Sequence, residues 1–240
     1  MRISLPWSKP MRIELGENPG VLAFSGPDAV RFLNGQVTQD VRKVIGSGLL
    51  LPSCVTDAKG KLQFRVWIAE AKEPGTVLVF CRGGMAEDLE ARLTRYLIAD
   101  DVEVREVGAE ISLEDFNFPD PDLGEAERIE KGIPKWGAEL TEGMLPPEAG
   151  LDATDISYAK GCYIGQEVIS RIKSAGKVNR RLVKFAFDGE GLTGEITDAD
   201  GKTCGVVTSF CGTIGLGYLK RGVAEDTELA VAGKAVRIRV

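Results

Sequence analysis

Histidine is absent from the 240 residues of this chain. Its absence excludes Ser-His-Asp and Cys-His catalytic triads, metal sites with an imidazole ligand, and every acid–base step that uses imidazole. Catalysis by this chain would therefore require carboxylates, lysine, tyrosine, cysteine or a bound cofactor.

Paired cysteines and long apolar runs are also absent. The five cysteines are scattered without a C-x-x-C pair, which argues against a disulfide framework and against a zinc site. No apolar run approaches the roughly 18 residues of a membrane span, and the first residues lack the apolar core of a secretory signal. We therefore expect a cytoplasmic protein with reduced thiols, no metal ligands and no membrane partner. The cysteines are Cys54, Cys81, Cys162, Cys204 and Cys211.

Residues 1–107 have the pattern of an α+β lobe within an ordinary globular composition, 43% hydrophobic and 28% charged. Short strands at 12–15 and 21–24 precede two longer extended runs, 49–56 and 62–69, which a glycine-containing turn joins as a hairpin. Apolar residues then recur at every fourth position, the pattern of a helix packed on a sheet. They are Met85, Leu89, Leu93 and Leu97.

The remainder of the chain divides into two further predicted segments. Residues 108–180 form a central segment that overlaps an acidic stretch, 100–130, with twelve acidic residues and two arginines. A proline-bearing loop at 116–123 is the predicted hinge. Residues 181–240 are predicted to form a small β-barrel, because short strands recur there with turn signals between them. Those strands are expected at 182–187, 202–210, 213–219 and 235–240.

Positive charge is concentrated in residues 157–184. This segment holds seven basic residues and one acid, Glu167, whereas the whole chain carries a net charge of −6. Such a concentration favours binding of an anion, although a solvated basic face is the alternative. The basic residues are Lys160, Arg171, Lys173, Lys177, Arg180, Arg181 and Lys184.

Cys162 is the candidate reactive thiol within this segment. The pattern predicts a short helix over 165–174, so that Cys162 lies just before a helix N-terminus and beside Lys160 in sequence. A helix N-terminus and a neighbouring cation both stabilise a thiolate. The alternative is an inert, buried cysteine, which is the commoner state of a lone cysteine.

Residues 160–167, KGCYIGQE, followed by Arg171, resemble the signature of the YgfZ-type folate-binding proteins. These proteins are relatives of the glycine-cleavage T-protein, an aminomethyltransferase. The resemblance extends to further motifs in the same order along the chain. They lie at 33–41, 56–61, 128–134, 205–209 and 215–218.

The resemblance implies an α+β fold, with a pseudo-symmetric T-protein-like body, a reduced second lobe and a C-terminal small β-barrel. It also implies a function as a folate-binding accessory protein. Tetrahydrofolate or a derivative would be the cofactor, and iron–sulfur client proteins, including iron–sulfur enzymes that modify tRNA, would be the partners.

The site residues implied by the resemblance have side chains that suit a folate. Asn34, Gln36 and Glu130 can pair with the N–H and carbonyl groups of a pterin, and Arg128 and Arg171 can meet carboxylates in a bidentate way. The reactive thiol would be Cys162, supported by Lys160. The full set of candidate cofactor-binding residues is Asn34, Gln36, Arg128, Glu130, Tyr163, Gln166, Glu167 and Arg171.

Two alternatives to this function differ in class. A folate-dependent aminomethyltransferase would need the adjacent acids that such enzymes place after the hairpin glycine, but the matching positions here are Gln63 and Phe64, which cannot accept a proton. A pure RNA-binding module is the second alternative. The acidic total and the scarcity of aromatic residues in the basic segment count against direct tRNA binding.

Overall fold

The computed structural model describes residues 15–16, 18–111, 116 and 124–239. Most of the predicted strand at 12–15 and of the predicted hinge loop at 116–123 lies outside the described residues. The chain divides into two compact units: Met1–Pro121 with Leu151–Arg171, and Asp122–Gly150 with Ile172–Val240. The predicted central segment therefore contributes residues to both units.

The first unit is built on a five-stranded antiparallel sheet with the strand order β2-β3-β4-β1-β5. The strands are β1 (Gly20–Ser25), β2 (Leu50–Thr56), β3 (Leu62–Glu70), β4 (Val77–Cys81) and β5 (Glu103–Glu106). The described residues of this unit include the helices α1 (Ala29–Gln36) and α2 (Ala86–Thr94).

Both faces of this sheet are buried, as the sequence of β3 illustrates. Phe64, Val66 and Ile68 alternate along the strand and join the core cluster that contains the apolar side chains of α1 and α2. Trp67 lies on the opposite face and joins a second cluster with Phe80. Of the predicted helical stripe, Leu89 and Leu93 are buried, whereas Met85 and Leu97 lie just outside the helix and are partly buried against it.

The predicted hairpin between β2 and β3 is confirmed. The Asp57 carboxylate accepts hydrogen bonds from the backbone N–H groups of Lys59 and Lys61, both at 2.8 Å. Gly60 has a φ of +72°, which a residue with a side chain rarely adopts. This turn lies against the loop that contains Cys162, which is described below.

The second unit is a closed six-stranded barrel with the order β10-β11-β6-β9-β8-β7, together with the short helix α3 (Glu125–Glu130). The predicted barrel is thus confirmed; two of its strands, β7 with five residues and β10 with three, are additional to those expected from the sequence. The strands are β6 (Arg180–Phe187), β7 (Gly194–Asp198), β8 (Thr203–Cys211), β9 (Ile214–Lys220), β10 (Leu229–Val231) and β11 (Lys234–Arg239).

Candidate functional site around the Cys162 loop

The Cys162 loop, residues 160–165, follows a segment of turns and leads into helix α4 (Gln166–Ala175). The loop lies against the β2–β3 hairpin, because the Thr56 hydroxyl donates to the carbonyl oxygen of Ile164 at 2.6 Å. Gly165 makes the closest approach: a Cβ at this position would lie 2.5 Å from the carbonyl oxygen of Asp57, and its φ is +89°. A glycine is therefore required at the point where the loop enters the helix.

Lys160 anchors the other end of the Cys162 loop. Its buried ammonium donates to the carbonyl oxygens of Asn34 and Val37, each at 2.6 Å, and of Gln39 at 2.8 Å. Burial lowers the pKa of Lys160 to about 7, although Asp40 nearby opposes this shift. The sequence suggests that Lys160 supports the Cys162 thiolate. In the structure the Lys160 ammonium is instead hydrogen-bonded to backbone carbonyls of residues 34–39.

Further hydrogen bonds hold the segment before the loop against the same backbone. The hydroxyl of Thr38 donates to the carbonyl oxygen of Asp155 at 2.7 Å. The N–H of Ser157 donates to the backbone carbonyl oxygen of Thr38 at 3.0 Å. Asp155 is fully buried and forms a 2.7 Å ion pair with Arg65 on β3. The loop is thus fixed at several points within the first unit.

Cys162 itself has an exposed side chain. Three other cysteines are buried, and burial raises the pKa of Cys81 to about 12 and that of Cys54 well above its ordinary value. Cys211 is partly exposed. Cys162 is therefore the most accessible thiol, and it is presented by a loop whose two ends are anchored.

Tyr163, the next residue, points into the protein. Its side chain is 7% exposed and packs with Ile156 and Ile169, and its ring centre lies 5.1 Å from the Lys160 nitrogen. The buried hydroxyl has no hydrogen-bond partner among the described residues. Burial raises the pKa of Tyr163, so this hydroxyl remains a neutral donor that a ligand or a water could satisfy.

The other predicted residues of the first unit have only part of their polar atoms occupied. The side-chain carbonyl of Asn34 accepts from the N–H of Val41 at 3.0 Å, and that of Gln36 accepts from Arg92 at 3.2 Å. The amide nitrogens of both residues carry no such bond in the described part of the chain. On α4, the exposed Glu167 and Arg171 form an ion pair at 2.7 Å, and Gln166 donates to the loop carbonyl of Gly161 at 3.5 Å.

Arg128 and Glu130 belong to the second unit. The Arg128 guanidinium is fully buried: it forms two hydrogen bonds with Glu125, at 2.6 and 3.0 Å, and donates to Glu139 at 2.8 Å. Arg128 also donates to the carbonyl oxygen of Ile133 at 2.6 Å, so its polar groups are already occupied. Glu130 forms an ion pair with Arg239 at 2.6 Å. The expectation that Arg128 meets the carboxylate of a ligand is therefore corrected: its carboxylate partners come from the protein.

Sequence reasoning missed the residues that organise these two regions. Glu139 accepts from the hydroxyls of Thr208 and Ser209, both at 2.6 Å, in addition to Arg128. Arg92 donates to Gln63 at 2.5 Å and to Gln36. No local signal could have found them, because their partners are up to 70 residues away in the sequence.

Comparison with known proteins finds similarities in both sequence and fold. Residues 179–240 match the family model described as the CAF17 C-terminal β-barrel domain, in agreement with the closed barrel. The chain superposes on glycine cleavage system aminomethyltransferase T from Bartonella henselae with a TM-score of 0.71 over 93% of this chain and 83% of that structure, at 15% identity. The chain has an aminomethyltransferase-like fold.

Two curated relatives that this chain matches in sequence have different named roles. One is the mitochondrial iron–sulfur cluster assembly factor IBA57 homologue of Phaeosphaeria nodorum, 30% identical over 56% of this chain and 32% of the relative. The other is an aminomethyltransferase of Halothermothrix orenii, 32% identical over 45% of this chain and 33% of the relative. The matches thus span about a third of each relative's length. In the described part of the chain, no helix is long and apolar enough to cross a membrane.

Proposed function

We propose that this protein is a folate-binding accessory factor that supports the assembly or repair of iron–sulfur proteins, including iron–sulfur enzymes that modify tRNA. The observation that carries the proposal is the exposed thiol of Cys162 within the KGCYIGQE motif, on a loop anchored at both ends. A thiol held in this way can react with or transiently ligate a client without first ordering its own loop. The named role of the IBA57 homologue supports the same function.

The residues of the first unit fit a folate in part. The free hydroxyl of Tyr163 and the amide nitrogen of Asn34 can donate to pterin carbonyl and ring nitrogen atoms, and the amide nitrogen of Gln36 is a further unoccupied donor. Arg171 is exposed, and its guanidinium can exchange Glu167 for a ligand carboxylate. Arg128 does not fit, because its guanidinium is fully buried and paired with Glu139. Glu130 is engaged in a partly exposed ion pair with Arg239. A bound tetrahydrofolate would supply a carrier for one-carbon units.

Aminomethyl transfer is the second candidate function, since the fold matches an aminomethyltransferase. The residues at the hairpin argue against it. Gln63 is bonded to Arg92, and Phe64 is buried in the core, so neither can take up a proton from a substrate amine. Steady formation of 5,10-methylene-tetrahydrofolate from an aminomethyl donor would favour this second function over the first.

The proposed function is tested by genetic rescue. A strain that lacks this protein, with a measurable loss of an iron–sulfur tRNA-modifying activity, is complemented with the wild type, Cys162→Ala and Cys211→Ala. We expect Cys162→Ala to fold normally but fail to restore the tRNA modification, whereas Cys211→Ala, the matched control, restores it. Full rescue by Cys162→Ala would remove the thiol from the proposal.

Fractionation of the same strain tests the proposed cytoplasmic location, which the unpaired cysteines support.

Folate binding is tested separately by titration calorimetry. We expect tetrahydrofolate to bind the wild type and to bind Arg171→Ala about tenfold more weakly, because a charge-assisted hydrogen bond is lost. Arg82→Ala is the control, since Arg82 is also exposed but lies outside the basic segment. Absence of heat with the wild-type protein would contradict the folate part of the proposal and leave the thiol part to the rescue experiment.

A further inference from the structure

Arg92 on α2 holds together three elements of the first unit. Its guanidinium donates to the side-chain carbonyl of Gln63 on β3 at 2.5 Å and to that of Gln36 at the end of α1 at 3.2 Å. It also donates to the backbone carbonyl of Thr56 at the end of β2, at 2.7 Å. One face of the guanidinium lies against Tyr96, 5.5 Å from the ring centre. The side chains of Arg92 and Gln63 are both partly exposed, so solvent can reach this cluster.

The charge of Arg92 has no bonded counter-ion among the described residues, because all three acceptors are neutral oxygens. Burial lowers the pKa of Arg92, since the guanidinium has lost part of its water. Two charges act at longer range, Asp57 and Arg95, and their effects on that pKa oppose each other. A partly desolvated cation with neutral partners favours an added anion.

The same bonds orient the two glutamines. Because the side-chain carbonyls of Gln36 and Gln63 accept from Arg92, the N–H groups of both amides are left as donors. Arg92 itself has five N–H groups, and the three bonds leave two of them unused. The cluster therefore offers several donors with fixed orientation, and no carboxylate of the described residues is bonded to them, which is an arrangement suited to a ligand carboxylate.

We propose that Arg92, Gln36 and Gln63 form a binding site for a carboxylate group of a small ligand. Gln36 and Gln63 donate to the carboxylate through their amides, and Arg92 supplies the charge and fixes their orientation. If the proposed folate binding holds, the carboxylate belongs to the glutamate part of the folate; the site itself is argued from the cluster alone.

The test uses p-aminobenzoyl-glutamate, which has the carboxylates of a folate but no pterin, and 6-hydroxymethylpterin, which has the pterin but no carboxylate. Binding of each to the full chain is measured by calorimetry for the wild type and Gln63→Glu. The substitution is close to isosteric and gives Arg92 a carboxylate partner in place of an amide. We expect the affinity for p-aminobenzoyl-glutamate to fall at least about tenfold, with no loss of thermal stability and no change in pterin affinity.

Asn18→Asp is the matched control, because it adds the same charge at an exposed position of the same unit. Arg92→Lys is a second variant, which keeps the charge but loses the planar guanidinium. We expect it to weaken the binding of p-aminobenzoyl-glutamate as well. The proposal is overturned if p-aminobenzoyl-glutamate does not bind the wild type or if Gln63→Glu binds it as tightly as the wild type does. It is also overturned if Asn18→Asp lowers the affinity as much as Gln63→Glu does. If p-aminobenzoyl-glutamate binds as expected but tetrahydrofolate does not, the site stands and the folate proposal fails.

Discussion

Lys160 donates from its buried ammonium to the carbonyl oxygen of Val37, 123 residues earlier in the chain, at a distance of 2.6 Å. Together with the bonds to Asn34 and Gln39, this contact joins the KGCYIGQE motif to the motif at 33–41, which spans the end of α1 and the residues after it. Two segments that are distant in sequence therefore act as one structural element. The stability of the Cys162 loop therefore depends on these three hydrogen bonds.

Replacing Lys160 by Met should destabilise the protein in a pH-dependent way. The substitution leaves two buried carbonyl oxygens, of Val37 and Gln39, and the partly buried one of Asn34 without this donor, and should lower the free energy of unfolding by about 2–4 kcal/mol at pH 9.5. The folded pKa of about 7 lies below the ordinary value of 10.5, so between these values the folded state binds fewer protons at Lys160 than the unfolded state. The stability of the wild type relative to the variant should therefore rise with pH across this window and be lost as pH falls through 7.

Urea unfolding of the wild type and Lys160→Met at pH 6.5, 8 and 9.5 checks this expectation. All other titrating groups are common to both proteins, so the difference isolates Lys160. Lys177→Met is the control, since Lys177 is exposed. A stability difference that does not change with pH would show that Lys160 keeps an ordinary pKa in the folded state.

Replacing Arg128 by Met should destabilise the second unit even when no ligand is present. The change leaves Glu139 as a buried carboxylate without its cation, and such losses cost about 3–5 kcal/mol. Adding Glu139→Gln should recover part of the loss, because the remaining amide is neutral. By contrast, Arg239→Met breaks a partly exposed pair with Glu130 and should cost less than about 1 kcal/mol. Chemical denaturation of the four proteins checks the order, and equal losses for both arginines would contradict it.

The five cysteines should differ in their rates of alkylation. Iodoacetamide should label Cys162 first in the native protein and Cys211 more slowly, whereas Cys54 and Cys81 should be labelled only after unfolding, because they are buried and the pKa of each is raised. Peptide mass spectrometry after timed labelling identifies the sites. Cys162→Ser should remove the fastest phase and leave the others unchanged; early labelling of Cys54 would contradict the burial of that thiol.

Replacing Gly165 by Ala should displace the Cys162 loop. The new Cβ would lie 2.5 Å from the Asp57 carbonyl oxygen at a φ of +89°, so we expect a loss of about 2 kcal/mol or more in the free energy of unfolding. Gly161→Ala is the matched control, because nothing lies within 4 Å of a Cβ placed there. Thermal unfolding and the rescue assay should both distinguish the two variants. Equal stability of the two would mean that the hairpin yields to the added methyl group.

Much of the secondary structure, and a candidate thiol, could be predicted from the sequence alone. Alternation in residues 62–69 predicted β3, and the glycine-containing turn predicted the hairpin, because such patterns depend on near neighbours in the chain. Missing histidine excluded imidazole chemistry, and the KGCYIGQE motif placed a candidate thiol at Cys162.

The contacts of the charged side chains could not be predicted, because they depend on the folded arrangement of the chain. Lys160 was expected beside a thiol and lies on three backbone carbonyls; Arg128 was expected at a ligand and is buried against Glu139. The cluster of Arg92 with Gln36 and Gln63 had no local signal at all. A long polar side chain takes the partners that folding brings within hydrogen-bond distance, and those partners are set by the packing of distant strands and helices rather than by sequence neighbours.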